Sequence, residues 1–448
     1  MEKNKELTKM HWQGATDAEH ASSSRRQFIV AAGTAGLALA TPGVLRAQGV
    51  DSKDTITVGF ISPRTGALAG FGETDAHVLG LARKALAAGL TVGTKKYAVR
   101  ILDRDSQSDP SRASQLAKSL INEDKVDMML AISTPEVVNP VSDACEAAGV
   151  PCMSSVMPWE AWYFGRGAKP GAPSPYKWSF HFSFGVDNFA RTYVSQWSTL
   201  PTNRRVGVLY PNDADGNAIR AHLAPELAKA GFTIVDPGPY EDGTADYTAQ
   251  IAKFKAEKCE IFNSFPIPPD FATFWRQAAQ QGYTKTVKIA QIAKTGLFPS
   301  NIEALGTLGV NLASGAYWHK DYPYQSSLTG LKGAELADSY ETASGKQWTQ
   351  QLGATMALLD AGFDALKVSG NPKNKAALAK AMNTLQTVTM VGKIDFAKGP
   401  VPNVATAPII GTQWIKAKPG SKYKLDYVVT DNADDRNVPV SAKLVAYS

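Results

Sequence analysis

The feature that most constrains the fold is an alternation of short apolar runs with amphipathic segments, which stops once and then starts again. Runs such as 56–60 and 126–132 predict strands, and the 3.6-residue apolar period of 78–86 predicts a helix. Because parallel strands need long crossover connections, this alternation is typical of a parallel sheet covered by helices. The run 126–132 is almost wholly apolar, as a strand buried on both faces is. The sequence therefore predicts an α/β fold.

The alternation forms two similar blocks, which predict two α/β halves. The first block covers residues 56–154 and the second covers residues 205–292. The segment 156–178 between them is rich in aromatic residues, proline and glycine, and we expect a loop there without helix or strand. Beyond Trp318, long predicted helices precede a strand-rich tail at 392–414. This last part does not repeat the pattern, so we expect it to cross back between the halves.

The N-terminal sequence is typical of an export signal. Arg25-Arg26 precede the weakly apolar run 31–40, and Leu45-Arg46-Ala47 is an acceptable cleavage site. This order indicates a twin-arginine signal peptide over residues 1–47, with cleavage near Ala47 and a periplasmic mature chain. An N-terminal amphipathic helix or an uncleaved anchor is the alternative. The apolar run is shorter than a bilayer requires, which argues against an anchor.

Composition and motifs argue against several function classes. The net charge of +6 comes without a dense basic stripe, so we expect no nucleic-acid partner. The three cysteines and six histidines form no metal-binding spacing, and no hydrolase, P-loop or dinucleotide motif is present. We therefore expect no metal, no cofactor and no catalytic residues. Cys145 and Cys152 are predicted either to form a disulfide or to remain two separate buried thiols.

Several short motifs follow one another in a recognisable order. They are Ile56-Thr57-Val58-Gly59, Pro63-x-Thr65-Gly66, Asp105-Ser106-Gln107-Ser108-Asp109-Pro110, Gly149-Val150-Pro151, Phe363-Asp364-Ala365 and Gly392-Lys393-Ile394-Asp395-Phe396. In order and spacing the chain resembles the branched-chain amino-acid type of ABC-transporter periplasmic solute-binding protein. The resemblance spans residues 55–415.

The resemblance implies the type I periplasmic binding protein fold, with two Rossmann-like lobes, parallel sheets and three hinge crossings. We expect the ligand to bind in the cleft between the lobes and hinge motion to close it. The expected crossings lie near 181–183, 316–319 and 391–395. The expected domains are an N-terminal lobe of residues 48–181 plus 319–391 and a C-terminal lobe of residues 182–318 plus 392–448.

The same resemblance implies a function. It predicts the substrate-binding component of an ABC uptake transporter, a monomer that captures a small amino-acid-like or carboxylate solute and passes it to a membrane permease. A cofactor-dependent periplasmic enzyme is one alternative, because twin-arginine export carries folded proteins. A ligand-sensing receptor domain is the other. The absence of catalytic motifs favours a binding protein over an enzyme.

Candidate binding residues in the first half follow predicted strands. Ser133 and Thr134 begin a helix, where Ser133 and Glu136 can form a capping box or the helix N-terminus can seat a ligand carboxylate. Ser154 and Ser155 end the next strand, where open α/β sheets bind ligands. A polar strand end that faces water is the alternative for these two serines.

Two aromatic residues in the same half are also candidates. Phe71 stands where some proteins of the resembled family place a tyrosine against the ligand, although a core position is equally consistent with phenylalanine. Trp159, in the aromatic loop, can stack on a planar or cationic ligand. Packing of the loop over the edge of the lobe is the alternative.

Three candidates come from the second half, where the sequence departs from the family pattern. Asp215 replaces a tyrosine that contacts the ligand in many members, so branched-chain amino-acid specificity is in doubt and pairing with a ligand amine is an option. The neighbouring Asp213 is predicted to form a turn. Phe265 ends the predicted strand 260–265, and Lys294 follows the predicted strand 287–292, although most lysines are simply solvated. These two residues complete the predicted set.

Overall fold

The computed structural model describes residues 54–448, so the predicted signal peptide (1–47) and its cleavage site at Ala47 lie outside the described residues. The strands are β1 (Thr55–Ser62), β2 (Leu90–Val92), β3 (Lys95–Asp105), β4 (Met128–Ile132), β5 (Cys152–Ser155), β6 (Ser179–Ser183), β7 (Arg205–Leu209), β8 (Thr233–Val235), β9 (Ile261–Ser264), β10 (Ile289–Ile292), β11 (Ala313–Ala316), β12 (Gln386–Thr389), β13 (Gly392–Asp395), β14 (Val404–Thr406), β15 (Ile410–Lys416) and β16 (Leu425–Asp431).

The α-helices of the same range are α1 (Asp75–Ala85), α2 (Pro110–Asn122), α3 (Pro135–Ala148), α4 (Trp159–Tyr163), α5 (Val186–Trp197), α6 (Ala214–Lys229), α7 (Thr248–Ala256), α8 (Pro268–Gln280), α9 (Pro299–Glu303), α10 (Gly333–Ser344), α11 (Gln350–Val368) and α12 (Lys375–Asn383). The 3-10 helices are Ala69–Gly72, Tyr283–Lys285, Lys294–Leu297, Gly306–Gly309 and Phe396–Lys398. Within residues 54–448, no helix is both long enough and apolar enough to cross a membrane.

Two seven-stranded sheets organise the fold and confirm the predicted α/β class. The first has the order β14-β6-β5-β4-β1-β3-β2, and the second has the order β16-β15-β11-β10-β9-β7-β8. Most neighbours pair in parallel; β2–β3, β11–β15 and β15–β16 are antiparallel. The first lobe is the first sheet with α1–α4 and α10–α12, and the second lobe is the second sheet with α5–α9.

Buried strands and well-formed helix starts explain why these residues adopt this fold. Every residue of β4 is buried. In the adjacent β1, a Cβ on Gly59 would lie 2.7 Å from the Sδ atom of Met129, so only glycine lets this side chain fill the layer. Asp109 caps α2 by accepting a 2.6 Å hydrogen bond from the backbone N–H of Arg112. Helix starts of this kind fix the loops that connect the carboxyl end of each strand to the next helix.

The chain passes between the sheets three times. It leaves the first sheet after Ser183, returns after Ala316 and leaves again after Thr406, since β14 pairs with β6 whereas β15 pairs with β11. The third passage is therefore at 407–409, later than the predicted 391–395. The reason is that β13 forms a hairpin with β12 and β14 then extends the first sheet. Residues 392–406 consequently stay with the first lobe instead of joining the second.

Two local expectations had different outcomes. The aromatic segment 156–178 was predicted to lack helix, but it contains α4, whose residues Glu160–Tyr163 are buried. This short helix forms because its buried side chains pack against α3, α6 and β6, which overrides the surrounding proline and glycine signals. Cys145 and Cys152 are free, buried thiols. Of the two predicted alternatives, the structure therefore contains the separate thiols and not the disulfide.

Candidate functional site

A cavity lies between the two lobes, where the carboxyl ends of strands from both sheets meet. The first lobe contributes Phe71, Thr134, Val156 and Pro158, and the second contributes Phe189, Asp215, Phe265, Ala293, Lys294, Leu297 and Gly315. The volume of this cavity is about 40 Å³. A single water molecule needs about 10–15 Å³ by the same measure. In this closed form the cavity suits only a small guest.

The three crossings form the floor of the cavity. Phe184 follows β6, Tyr317 follows β11 and Ile409 precedes β15, and all three side chains line the cavity. The rings of Phe184 and Tyr317 stack with centroids 5.6 Å apart and planes 13° apart. A guest in the cavity would therefore contact the hinge as well as both lobes.

The first-lobe wall presents the hydroxyl group of Thr134 at the start of α3, and the preceding Ser133 does not line the cavity. Thr134 is the N-cap residue, but its side chain makes no capping hydrogen bond, and Pro135 follows at the first helical position. The hydroxyl oxygens of Ser133 and Thr134 are buried and lack any partner. The structure thus does not contain the capping box considered for Ser133 and Glu136. Unpaired buried hydroxyls cost free energy, which a hydrogen-bonding guest would recover.

Backbone strain accompanies this wall. Val156, which lines the cavity, has a φ of 87°. A β-branched residue rarely adopts this left-handed conformation, because its Cβ crowds the backbone. Strain of this kind persists only where the surrounding structure enforces it, and it is concentrated at functional sites. The strain thus agrees with the cavity as a functional site.

The second-lobe wall is built on the start of α6. Asp213 is the N-cap, and its Oδ1 atom accepts a 2.6 Å hydrogen bond from the backbone N–H of Gly216. A Cβ on Gly216 would lie 2.1 Å from the carbonyl oxygen of Pro211, so glycine is required for this tight start. The start places Asp215 in the first turn, where it is buried and lines the cavity.

A buried ammonium joins two carboxylates on this wall. The Nζ atom of Lys294 lies 3.0 Å from Oδ2 of Asp213 and 3.0 Å from Oδ2 of Asp215. Burial raises the pKa of Asp215 to about 7, against the attraction of Lys294. Burial lowers the pKa of Lys294, but the attraction of Asp213, Asp215 and Glu136 outweighs it and raises that pKa well above its ordinary value. Lys294 is therefore a permanent cation.

The lobes also touch each other through aromatic rings at the mouth of the cleft. Phe71 of the first lobe meets Phe298 of the second with centroids 5.1 Å apart and planes at 81°. A Cβ on Gly70 would lie 2.9 Å from the ring of Phe298, so glycine permits this close approach. This contact defines the closed arrangement of the lobes.

Among the predicted site residues, the structure brings Phe71, Thr134, Asp215, Phe265 and Lys294 together in the cavity. Phe71 and Phe265 are at the same time part of the core. The predicted ligand residue Asp215 and the predicted turn residue Asp213 both pair with Lys294, which the sequence did not suggest.

Ser133, Ser154, Ser155 and Trp159 do not line the cavity. The hydroxyl of Ser154 donates to the carbonyl of Phe180 and lies 2.9 Å from Nδ1 of His181, and that of Ser155 donates to the carbonyl of Phe182. These serines are therefore occupied within the first sheet. The backbone N–H of Trp159 donates to the carbonyl of Phe184, so α4 is hydrogen-bonded to the first crossing.

The comparisons with known proteins agree with this geometry. The family model for periplasmic binding proteins matches residues 55–418. The chain belongs to this family. The Leu/Ile/Val-binding protein homolog 8 of Brucella abortus is 23% identical over 386 residues, which are 81% of this chain and 89% of that protein.

Solved structures share the fold of this periplasmic binding protein. A solute-binding protein of an ABC transporter from Rhodopseudomonas palustris, in complex with 3,4-dihydroxybenzoic acid, has a TM-score of 0.66 at 19% identity and covers 84% of this chain and 97% of its own. The branched-chain amino-acid transporter substrate-binding protein of Streptococcus pneumoniae, in complex with isoleucine, has a TM-score of 0.64 at 17% identity, with coverages of 84% and 99%.

Sequence reasoning missed much of the apolar lining of this periplasmic binding protein. Phe184 and Tyr317 adjoin crossings that were predicted close to their true positions, so that signal could have found them. Ile409 adjoins the crossing that was predicted too early. Phe189 lies in α5, for which no element was predicted. In the described residues, no group of three or more potential ligand side chains is arranged to hold a metal ion.

Proposed function

We propose that this substrate-binding protein captures a small amino-acid-like or carboxylate solute in the interlobe cavity and delivers it to the membrane permease of an ABC uptake transporter. The observation that carries the proposal is that both lobes and all three crossings line one cavity. A solute stabilises the closed form only by interacting more strongly with that form than with the open one. A guest that touches both lobes meets this condition.

The polar residues have separate roles in the proposal. The Thr134 hydroxyl, at the N-terminus of α3, donates to the solute's acidic or polar end, which the positive end of the helix dipole also favours. Asp215 and Lys294 contact the solute from the second lobe. Phe71 and Phe265 supply apolar contact. Ser133 supports the same end through its unpartnered hydroxyl.

The proposal also covers the class of the protein, its export and its oligomeric state. Members of the family are solute-binding proteins rather than enzymes, and we propose the same of this chain, acting as a monomer in the periplasm after twin-arginine export. The enzyme alternative predicts visible absorbance or tightly bound metal in the purified protein. The sensing alternative predicts signalling genes beside the gene, where the transport proposal predicts permease genes.

A thermal-unfolding screen with small amino acids and carboxylates tests the proposal. A solute at a hundred times its dissociation constant adds about 2.7 kcal/mol to the free energy of unfolding. We expect Thr134→Val to reduce the shift of the solute found. Thr91→Val, which makes the same change on an exposed strand position of the first lobe, should retain it. The proposal fails if no such compound shifts the transition or if Thr134→Val leaves the shift intact.

A further inference from the structure

The second-lobe wall carries more acidic than basic groups. Electrostatic interactions connect Lys294 to carboxyl groups from several elements, of which one belongs to the first lobe and the others to the second. These carboxyl groups are Glu136 on α3, Asp213 and Asp215 at the start of α6, Asp242 in the following loop and Asp270 on α8. One lysine interacts with five acids, so the charge around Lys294 is negative once these acids are ionised.

The positive charge of Lys294 is already engaged. Its ammonium lies 3.0 Å from a carboxylate oxygen of Asp213 and of Asp215, and both acids and the lysine are almost fully buried. A solute carboxylate that recruited Lys294 would have to compete with two internal partners. It would also have to approach the surrounding acids. Both effects disfavour an anion at this wall.

The second-lobe wall also contains a hydrogen-bond acceptor without a donor. Oδ1 of Asp215 is buried and has no hydrogen-bond partner, while Asp215 lines the cavity and is only 3% exposed. A carboxylate oxygen in this position accepts a hydrogen bond and most strongly accepts one from a cation. Beside it, Phe265 and Leu297 leave room for an apolar body. The complement of this wall is an apolar group that carries an ammonium.

We propose that the cavity selects solutes with a positively charged ammonium, bound by Oδ1 of Asp215, and discriminates against carboxylates that lack one. The ammonium is the required group, and a carboxylate at Thr134 is an additional contact. This inference rests on the proposed function and specifies the class of solute that the same cavity takes.

Binding of an ammonium at Asp215 should depend on pH. An ammonium ion binds the ionised form of Asp215, whose pKa burial raises to about 7. Binding therefore releases protons near neutral pH, and affinity falls as the pH drops through 7 because the carboxyl must first lose its proton. The acids around Lys294 change the size of this effect but not its sign, since a cation favours the ionised form of each.

Titration calorimetry with three compounds that share an isobutyl unit tests the inference. These are isobutylamine, L-valine and isovalerate, which present an ammonium alone, both charges and a carboxylate alone. At pH 8 we expect isobutylamine and L-valine to bind at least about tenfold more tightly than isovalerate. Isovalerate binding without isobutylamine binding would overturn this inference and leave the proposed function standing. Failure of isobutylamine to bind overturns it whatever the other two compounds do.

A matched pair of variants assigns the effect to one carboxylate. Asp215→Asn should weaken isobutylamine binding at least about tenfold, and Asp246→Asn, the same change at a fully exposed acid of the second lobe, should leave it unchanged. Equal affinity in Asp215→Asn and unmutated protein contradicts the inference. Should Asp215→Asn fail to fold, isobutylamine affinity of the unmutated protein must still fall at least about tenfold from pH 8 to pH 5.5. A pH-independent affinity overturns the inference.

Discussion

The two walls of the cavity use different physics. The first-lobe wall offers the neutral hydroxyl of Thr134, which has no partner, at the start of α3, whereas the second-lobe wall holds an ion-paired cluster at the start of α6. Both walls begin a helix directly after a strand of a parallel sheet. The same architecture therefore supports either an uncharged donor surface or a charged one.

Two buried carboxyl groups, one in each lobe, differ in how their oxygens are hydrogen-bonded. Asp75 in the first lobe and Asp215 in the second both have a pKa raised by burial to about 7. Asp75 accepts hydrogen bonds from the hydroxyls of Ser62 and Thr355 and does not line the cavity. Asp215 has an ammonium on one oxygen and nothing on the other. A raised pKa alone thus does not identify the binding residue, but an unpartnered oxygen on a residue that lines the cavity does.

The largest expected effect is a loss of stability in a variant of the second-lobe wall. Lys294→Met removes the counter-charge of two buried carboxylates, so we expect the free energy of unfolding at pH 8 to fall by about 3 kcal/mol. The loss should be smaller at pH 5.5, because the pKa of Asp215 rises further without Lys294 and the carboxyl is then protonated. Urea unfolding at both pH values measures this.

The first-lobe wall provides the counterpart to that experiment. Thr134→Val removes a hydroxyl that has no partner, so we expect no loss of stability at either pH. An equal loss in Thr134→Val and Lys294→Met would show that the two walls do not differ as described.

A smaller effect is expected where the walls meet. Phe298→Ala removes the ring contact with Phe71, which holds the lobes together only in the closed form. Because such ring pairs contribute about 0.5–1.5 kcal/mol, we expect affinity for the bound solute to fall by about twofold to tenfold. Binding calorimetry measures the change, and unaltered affinity would show that this contact does not stabilise closure.

Periodicity and motif order predicted much of the fold correctly. The alternation of strands and helices predicted both sheets, and the helix that was predicted to begin at Ser133 and Thr134 has Thr134 as its N-cap, because amphipathic period and capping signals are local. The third crossing could not be placed in this way. The run at 392–395 pairs locally in a hairpin instead of entering the second sheet, and local sequence does not specify the partner of a strand.

The candidate site was predictable in part for a similar reason. Thr134, Asp215 and Lys294 follow strands, and the carboxyl ends of parallel strands meet at one edge of a sheet. Ser154 and Ser155 also follow a strand, yet neighbouring carbonyl groups occupy their hydroxyls. The pairing of Lys294 with Asp213, 81 residues apart in sequence, arises only from tertiary structure.

The most direct test of the account is the distance between the lobes with and without solute. Spin labels at Ala67→Cys and Ser300→Cys, two exposed positions on opposite sides of the cleft mouth, report this distance by pulsed electron paramagnetic resonance, since the native cysteines are buried. We predict a longer or broader distance distribution without solute and a single short distance once a binding solute is added. An unchanged distribution in the presence of a solute that calorimetry shows to bind would contradict capture between the lobes.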